Sequence, residues 1–151
     1  WSFHYCRRQW SLLENENLKY QWLGEFDRDM IHLAKENEIF KQRMASQMLL
    51  KEPEKVIAFY RNGLLFVFNF NVTQSLTNVL VQVPNHADYT VALSSDDEQY
   101  GGQNRVAHMT YDVKRFDGVD YVELYLPART AIVLKEGEIK EIPAEKAAEE
   151  A

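Results

Sequence analysis

Asn62-Gly63 stands between two apolar runs, Val56 to Arg61 and Leu64 to Asn71. Both central residues of a tight two-residue hairpin turn need positive φ, which Asn and Gly tolerate, so the dipeptide predicts an antiparallel strand pair. On the second run Leu64, Phe66, Phe68 and Phe70 share one face, while Leu65 and Val67 point the other way. Both faces are apolar near its start. Such a strand is expected in the interior of a sheet, covered on both sides.

Further short strands are predicted around Asn78 to Val83, Tyr89 to Ser94 and Val106 to Val113. Asp117-Gly118 is a second hairpin signal, followed by Tyr121 to Leu126 and Ala131 to Lys135. Some seven or eight short strands divided by turns predict a mainly β chain folded as an antiparallel β-sandwich. Alternation points Val79, Val81, Val83, Tyr89, Val91, Leu93, Val122, Leu124, Leu126, Ile132 and Leu134 inward.

Ahead of Pro53 the period is different. Leu18, Trp22, Leu23, Phe26, Met30, Leu33 and Ala34 recur at helical spacing with one apolar face. A helix is therefore predicted from Leu18 to about Asn37, with Asn15 or Asn17 as its N-cap. Lys41 to Glu54 carries no assignable period, and Pro53 marks a boundary by disfavouring helix in the residue before it. Three parts are expected: 1–52 helical, 53–135 sandwich, and an acidic, flexible tail at 136–151.

That tail holds six Glu and two Lys, so it carries −4 of the formal charge of −6. The near-neutral body offers no basic patch for nucleic acid. A single cysteine, Cys6, excludes an internal disulfide framework and fits a reducing, cytoplasmic compartment. No apolar run approaches the roughly 18 residues of a membrane span, so no membrane partner is expected. The chain opens on Trp1 rather than Met, which is read as a piece of a longer polypeptide.

Chemistry-bearing patterns are sparse. His4, His32, His86 and His108 lie far apart without metal-ligand spacing, so neither a metal nor a cofactor is expected. Cys6 beside His4 lacks a recognisable third orienting group and reads as a small buried thiol. The run Ser94-Ser95-Asp96-Asp97-Glu98 reads as a polar turn rather than an acid/base pair, and Gly101-Gly102 as a flexible loop without the Lys-Ser/Thr of a phosphate cradle. Asn71-Val72-Thr73 fits a glycosylation sequon that is incidental here. Trp1, Tyr5, Arg7 and Arg8 are the candidate substrate-binding residues, since flat rings stack on sugar faces and guanidinium groups bond hydroxyls. Packing is the expected role for most of the neighbouring rings, including Phe3, Trp10, Trp22 and Phe26.

Those first residues also carry a resemblance. Trp1-Ser2-Phe3-His4-Tyr5-Cys6-Arg7-Arg8-Gln9-Trp10 resembles the segment Trp-Ser-Tyr-His-Tyr-Ala-Arg-Arg-Gln-Trp of the 1,4-α-glucan (glycogen) branching enzymes in the α-amylase superfamily. The likeness continues through Leu18 to Leu23, Phe26 to Met30, Asn62 to Phe70, Leu93 to Asp96, Tyr100 to Gly102, Arg105-Val106 and Tyr125 to Ala131. The blocks fall in the family's order over roughly residues 1 to 135. Phe3 and Cys6 replace the more usual Tyr and Ala, and the loop at Lys114 to Asp117 is short.

The resemblance implies a (β/α)₈ barrel followed by an all-β domain, with the helix as the barrel's last helical portion. It implies a parent that transfers an α-1,4-glucan segment to a 6-hydroxyl, making α-1,6 branches in glycogen. Retention needs an Asp nucleophile and a Glu acid/base, which in the family precede the position of Trp1, together with a second, assisting Asp. None of them carries over, so no catalytic residue is expected here and the chain alone should be inactive. The alternative is a stand-alone glucan-binding module; because the aromatics look more like packing residues, the chain is expected to bind glycogen weakly or not at all. An apolar patch around Trp10, Trp22 and Phe26 is expected to be exposed and able to dimerise the chain.

Overall fold

The computed structural model describes residues 3–6 and 9–142. Short 3-10 turns at Phe3–Cys6 and Trp10–Leu12 lead into one α-helix, α1 (Tyr20–Glu36), and a further 3-10 turn at Ile39–Lys41. Nine strands follow: β1 (Ser46–Lys51), β2 (Val56–Arg61), β3 (Leu64–Asn69), β4 (Leu76–Val83), β5 (Ala87–Ser94), β6 (Thr110–Tyr111), β7 (Lys114–Phe116), β8 (Val119–Leu126) and β9 (Thr130–Ile139). They form two antiparallel sheets, ordered β1-β2-β3-β9-β5-β6 and β4-β8-β7. No helix among the described residues is long and apolar enough to cross a membrane.

The predicted hairpin is present. Arg61 pairs with Leu64, and Asn62 and Gly63 turn at φ 45° and 82°. Asp117 and Gly118 do the same between β7 and β8, at φ 47° and 77°. β3 lies inside the larger sheet, between β2 and β9. Its two faces serve two clusters. Leu65 and Val67 join Ala58, Val81, Tyr89, Val122 and Leu134 in the core between the sheets. Leu64, with Leu93 and Val133, faces outward and is covered by Phe26 and Leu33 of α1 together with Ile39, Phe66 and Tyr100. Removing a side chain such as Leu65 from the first cluster would cost about 2–5 kcal/mol.

Where the fold departs from the sequence reading, the reasons are local. The sheet begins ahead of Pro53, because Ser46–Lys51 is a strand paired with β2. An irregularity between Gln47 and Leu49 breaks the two-residue alternation that would have marked it. Leu93 was expected in the inter-sheet core, but a register shift between Val91 and Leu93 turns it to the helix side. Val106 to Val113 is not one strand; it is an irregular connection ending in the two-residue β6. β9 continues past Lys135 to Ile139, and Glu136 accepts hydrogen bonds from Tyr89 Oη at 2.8 Å and from Asn85 Nδ2 at 3.0 Å.

The helix start also differs. Neither Asn15 nor Asn17 caps α1; Lys19 occupies the cap position without a side-chain bond. Asn15 Oδ1 instead accepts from the Asn17 backbone N–H, closing a turn ahead of the helix.

Candidate functional site

Helix α1 meets the larger sheet along Trp22, Phe26, Asp29 and Leu33, a three-to-four-residue spacing that lines one side of a helix. The loop after β5 receives it. Phe26 and Tyr100 meet edge to face with ring centroids 5.1 Å apart, and Tyr100 Oη donates to Asp29 Oδ2 at 2.7 Å. That bond, helped by Arg28, holds the Asp29 carboxyl below its ordinary value, while burial and the facing carboxylate push the Tyr100 phenol up. Gly101, at φ 77°, lies against the Trp22 ring, where a Cβ would overlap the indole.

The loop owes its shape to a buried ion pair. Asp96 is 4% exposed and takes two arms of Arg105, with Nη2 at 2.7 Å from Oδ1 and Nε at 3.1 Å from Oδ2. Its carboxylate also accepts the Arg105 backbone N–H at 2.7 Å. Burial alone would raise the Asp96 pKa, yet the guanidinium and backbone donors outweigh it and hold the carboxyl low. Gly102 sits so close that a Cβ would collide with the Asp96 backbone. Ser94 to Glu98 is therefore the polar turn expected, but one with a buried ionic centre. Gly101-Gly102, read as a flexible loop, is instead fixed by two contacts that no side chain would permit.

A second dock holds the other end of the helix. Asn62 Nδ2 donates to the carbonyls of Asn37 at 2.8 Å and Glu38 at 3.0 Å. Asn37 is the C-cap of α1 and Glu38 follows it, so the hairpin turn holds the chain where it leaves the helix. Arg61 adds Nε to Gln42 O at 3.0 Å and lies 5.1 Å from the centre of the Phe40 ring.

Of the candidate substrate-binding residues, Trp1, Arg7 and Arg8 lie outside the described residues. Tyr5 is placed only as part of the Phe3–Cys6 turn. Cys6, expected to be a buried thiol, is exposed. Trp22 and Phe26, expected on an exposed patch, are half-buried because the Tyr100-Gly101 loop covers them. The exposed apolar side of α1 is instead Tyr20, Leu23, Met30 and Ile31, at 48, 65, 44 and 42% exposure, and Trp10 is 65% exposed nearby in the chain. A shallow cavity of about 270 Å³ lies beside this side, lined by Lys19, Trp22, Leu23, Phe26, Ser95 and Tyr100.

Two antiparallel sheets, a helix locked onto one of them and a loop organised by a buried ion pair define an all-β domain with one docked helix. Residues 49–137 match the family described as the alpha amylase, C-terminal all-beta domain, and the chain belongs to that family. Its curated relatives are more particular. Over 137 residues it is 39% identical to a 1,4-alpha-glucan-branching enzyme of Candida glabrata, covering 88% of this chain and 19% of that protein. It is 36% identical over 137 residues to the enzyme of the same name from Saccharomyces cerevisiae, covering 88% and 20%. The enzyme of the same name from Rhizophagus irregularis is 35% identical over 137 residues, again covering 88% and 20%. The chain thus spans about a fifth of the length of the relatives it matches, and corresponds to their C-terminal all-β region.

Proposed function

We infer that this chain is the non-catalytic C-terminal portion of a 1,4-α-glucan branching enzyme. The parent cuts an α-1,4-glucan, keeps the donor segment as a covalent glycosyl-enzyme and passes it to a 6-hydroxyl. The carrying observation is identity of 35–39% to proteins of that name over nearly the whole chain. Its physical complement is the exposed apolar side of α1. A helix clamped to a sheet at both ends, yet apolar on its outward side, is built to receive more protein. In this reading the catalytic barrel packs on Tyr20, Leu23, Met30 and Ile31, and the sandwich braces the barrel's last helix.

An iodine-stain assay on linear amylose tests the reading. The longer polypeptide carrying this chain should lower the stain as branches form, while the pure 151-residue chain should leave it unchanged. Branching by the pure chain would overturn the assignment of a non-catalytic role. Failure of the longer polypeptide to act on any α-glucan would overturn the family-level function.

A further inference from the structure

We propose that the groove between β4, β8 and the Met109–Lys114 segment binds a short stretch of α-1,4-linked glucan. This deepens the reading above, since it rests on the parent handling α-glucan. The groove is shallow and open, with a volume of about 460 Å³.

A β-bulge forms part of its wall. Leu76 pairs with Leu126 and Val79 with Leu124, so Thr77 and Asn78 together stand opposite Tyr125 alone. The extra residue leaves part of the β4 backbone unpaired, and Asn78 takes a left-handed φ of 54°. Asn takes this conformation with little strain, and a bulge of this kind recurs beside binding sites. Here it aims the Asn78 amide at Glu123, which it bonds, and Lys114 pairs with the same carboxylate. Glu123 is thereby pinned on the groove wall and its pKa lowered, chiefly by Lys114 and then by Asn78.

The other lining groups are those a sugar uses. Tyr125 and Met109, 38% and 54% exposed, offer apolar surface for the C–H face of a pyranose, with Tyr111 beside them. Among the described residues, nothing hydrogen-bonds the hydroxyls of Thr77 and Thr110 or the Asp112 carboxylate, all on exposed residues. These groups are free to bond ring hydroxyls. With Lys114 paired to Glu123 and Asp112 unneutralised, the lining is net negative, which repels a phosphorylated ligand but not a neutral glucan. Three segments separated in sequence build the groove, so the expectation of weak or absent glycogen binding, drawn from the aromatic residues, does not take it into account.

Titration of the 151-residue chain with maltoheptaose, followed by ¹H–¹⁵N NMR, tests the proposal, with cellohexaose as the β-linked control. Amide shifts should concentrate at Thr77, Asn78, Thr110 and Tyr125 with the α-linked ligand only. Tyr125→Ala and the milder Thr77→Val should each weaken binding, by about tenfold for Tyr125→Ala. Leu23→Glu, on the helix, should leave it unchanged, and dispersed spectra report that each variant is folded. Shifts clustered elsewhere, or unchanged affinity in folded Tyr125→Ala and Thr77→Val, would overturn the groove while leaving the glucan reading intact. No binding of maltoheptaose, with amylose still branched by the longer polypeptide, would do the same. Loss of both would take the glucan reading down as well.

Discussion

Tyr100 Oη donates to Asp29 Oδ2 across 2.7 Å and so joins two residues 71 positions apart, one on the helix and one on the loop after β5. The bond lies beside the edge-to-face contact of Phe26 with Tyr100, so polar and apolar contacts act on the same turn of helix. Tyr100→Phe keeps the ring contact and deletes only the donor. Hydrogen exchange should then quicken across the turn from Asp29 to Leu33, while amides of β3 and β9 stay protected. Uniform loss of protection would show that the bond supports the whole fold instead.

Gly102→Ala should be among the most damaging single-methyl additions. Its new Cβ would meet the Asp96 backbone, which cannot swing aside as a flexible side chain could. A cost of about 3 kcal/mol is expected, read as a lower urea midpoint at unchanged slope. Gly118→Ala is the control: nothing stands near its Cβ, and only the strain of φ 77° remains.

Arg105→Met should uncover the Asp96 charge. Removing one partner of a buried pair leaves the other desolvated, and with Arg105 itself about a third exposed the loss should be about 2–3 kcal/mol at neutral pH. The double variant Arg105→Met, Asp96→Leu should recover part of it. Recovery is the decisive measurement, since simple loss of contact area would not be restored.

Asp96 and Asp120 are two of the carboxylates that shape the acid limb of stability. Burial pushes Asp96 and Asp120 up, but Arg105 for the first, and His86 with Arg115 for the second, outweigh it and leave both below the unfolded value. A depressed folded pKa contributes stability that is full above the unfolded value of about 3.9 and is lost as pH falls through the folded value. Unfolding free energy should therefore decline below about pH 4, and less steeply in Asp120→Asn. At the alkaline end Tyr89, raised by burial and then by Glu136, acts in the opposite sense. Its contribution is full below the unfolded value of about 10 and is lost as pH rises beyond it, so Tyr89→Phe should flatten that limb.

Self-association should follow the outer side of α1. Tyr20, Leu23, Met30 and Ile31 form an exposed apolar strip on the 151-residue chain. Sedimentation is expected to show concentration-dependent dimers, and Leu23→Glu with Met30→Lys should return monomers. A monomer at every concentration in the unmodified chain would remove the strip from consideration.

Much of the sandwich was legible because its signals are local. Asn62-Gly63 and Asp117-Gly118 name their own turn geometry, and Val79, Val81 and Val83 alternate without interruption. A bulge at Gln47–Leu49 hid β1 and a register shift in β5 turned Leu93 outward, while Val106 to Val113 was read as one strand although only Thr110–Tyr111 pairs there. The docking contacts were not legible at all. Asp29 with Tyr100, Asn62 with the carbonyls of Asn37 and Glu38, and Gly101 under Trp22 join distant positions that no spacing rule connects. Trp22 and Phe26 have the periodicity of a buried stripe, but periodicity does not say which surface covers it.

The clamp on α1 moves the boundary of the smallest folding unit. The family match starts at residue 49, inside β1 and past the helix. A polypeptide trimmed there would lose part of the β1–β2 pairing and bare Leu64, Leu93 and Val133, whose cover comes in part from Phe26, Leu33 and Ile39. It would expose a second greasy surface on the far side of the same sheet and head for aggregates. Anyone excising this domain should start upstream of Tyr20, because the helix belongs to the sandwich's own lining as much as to whatever precedes it.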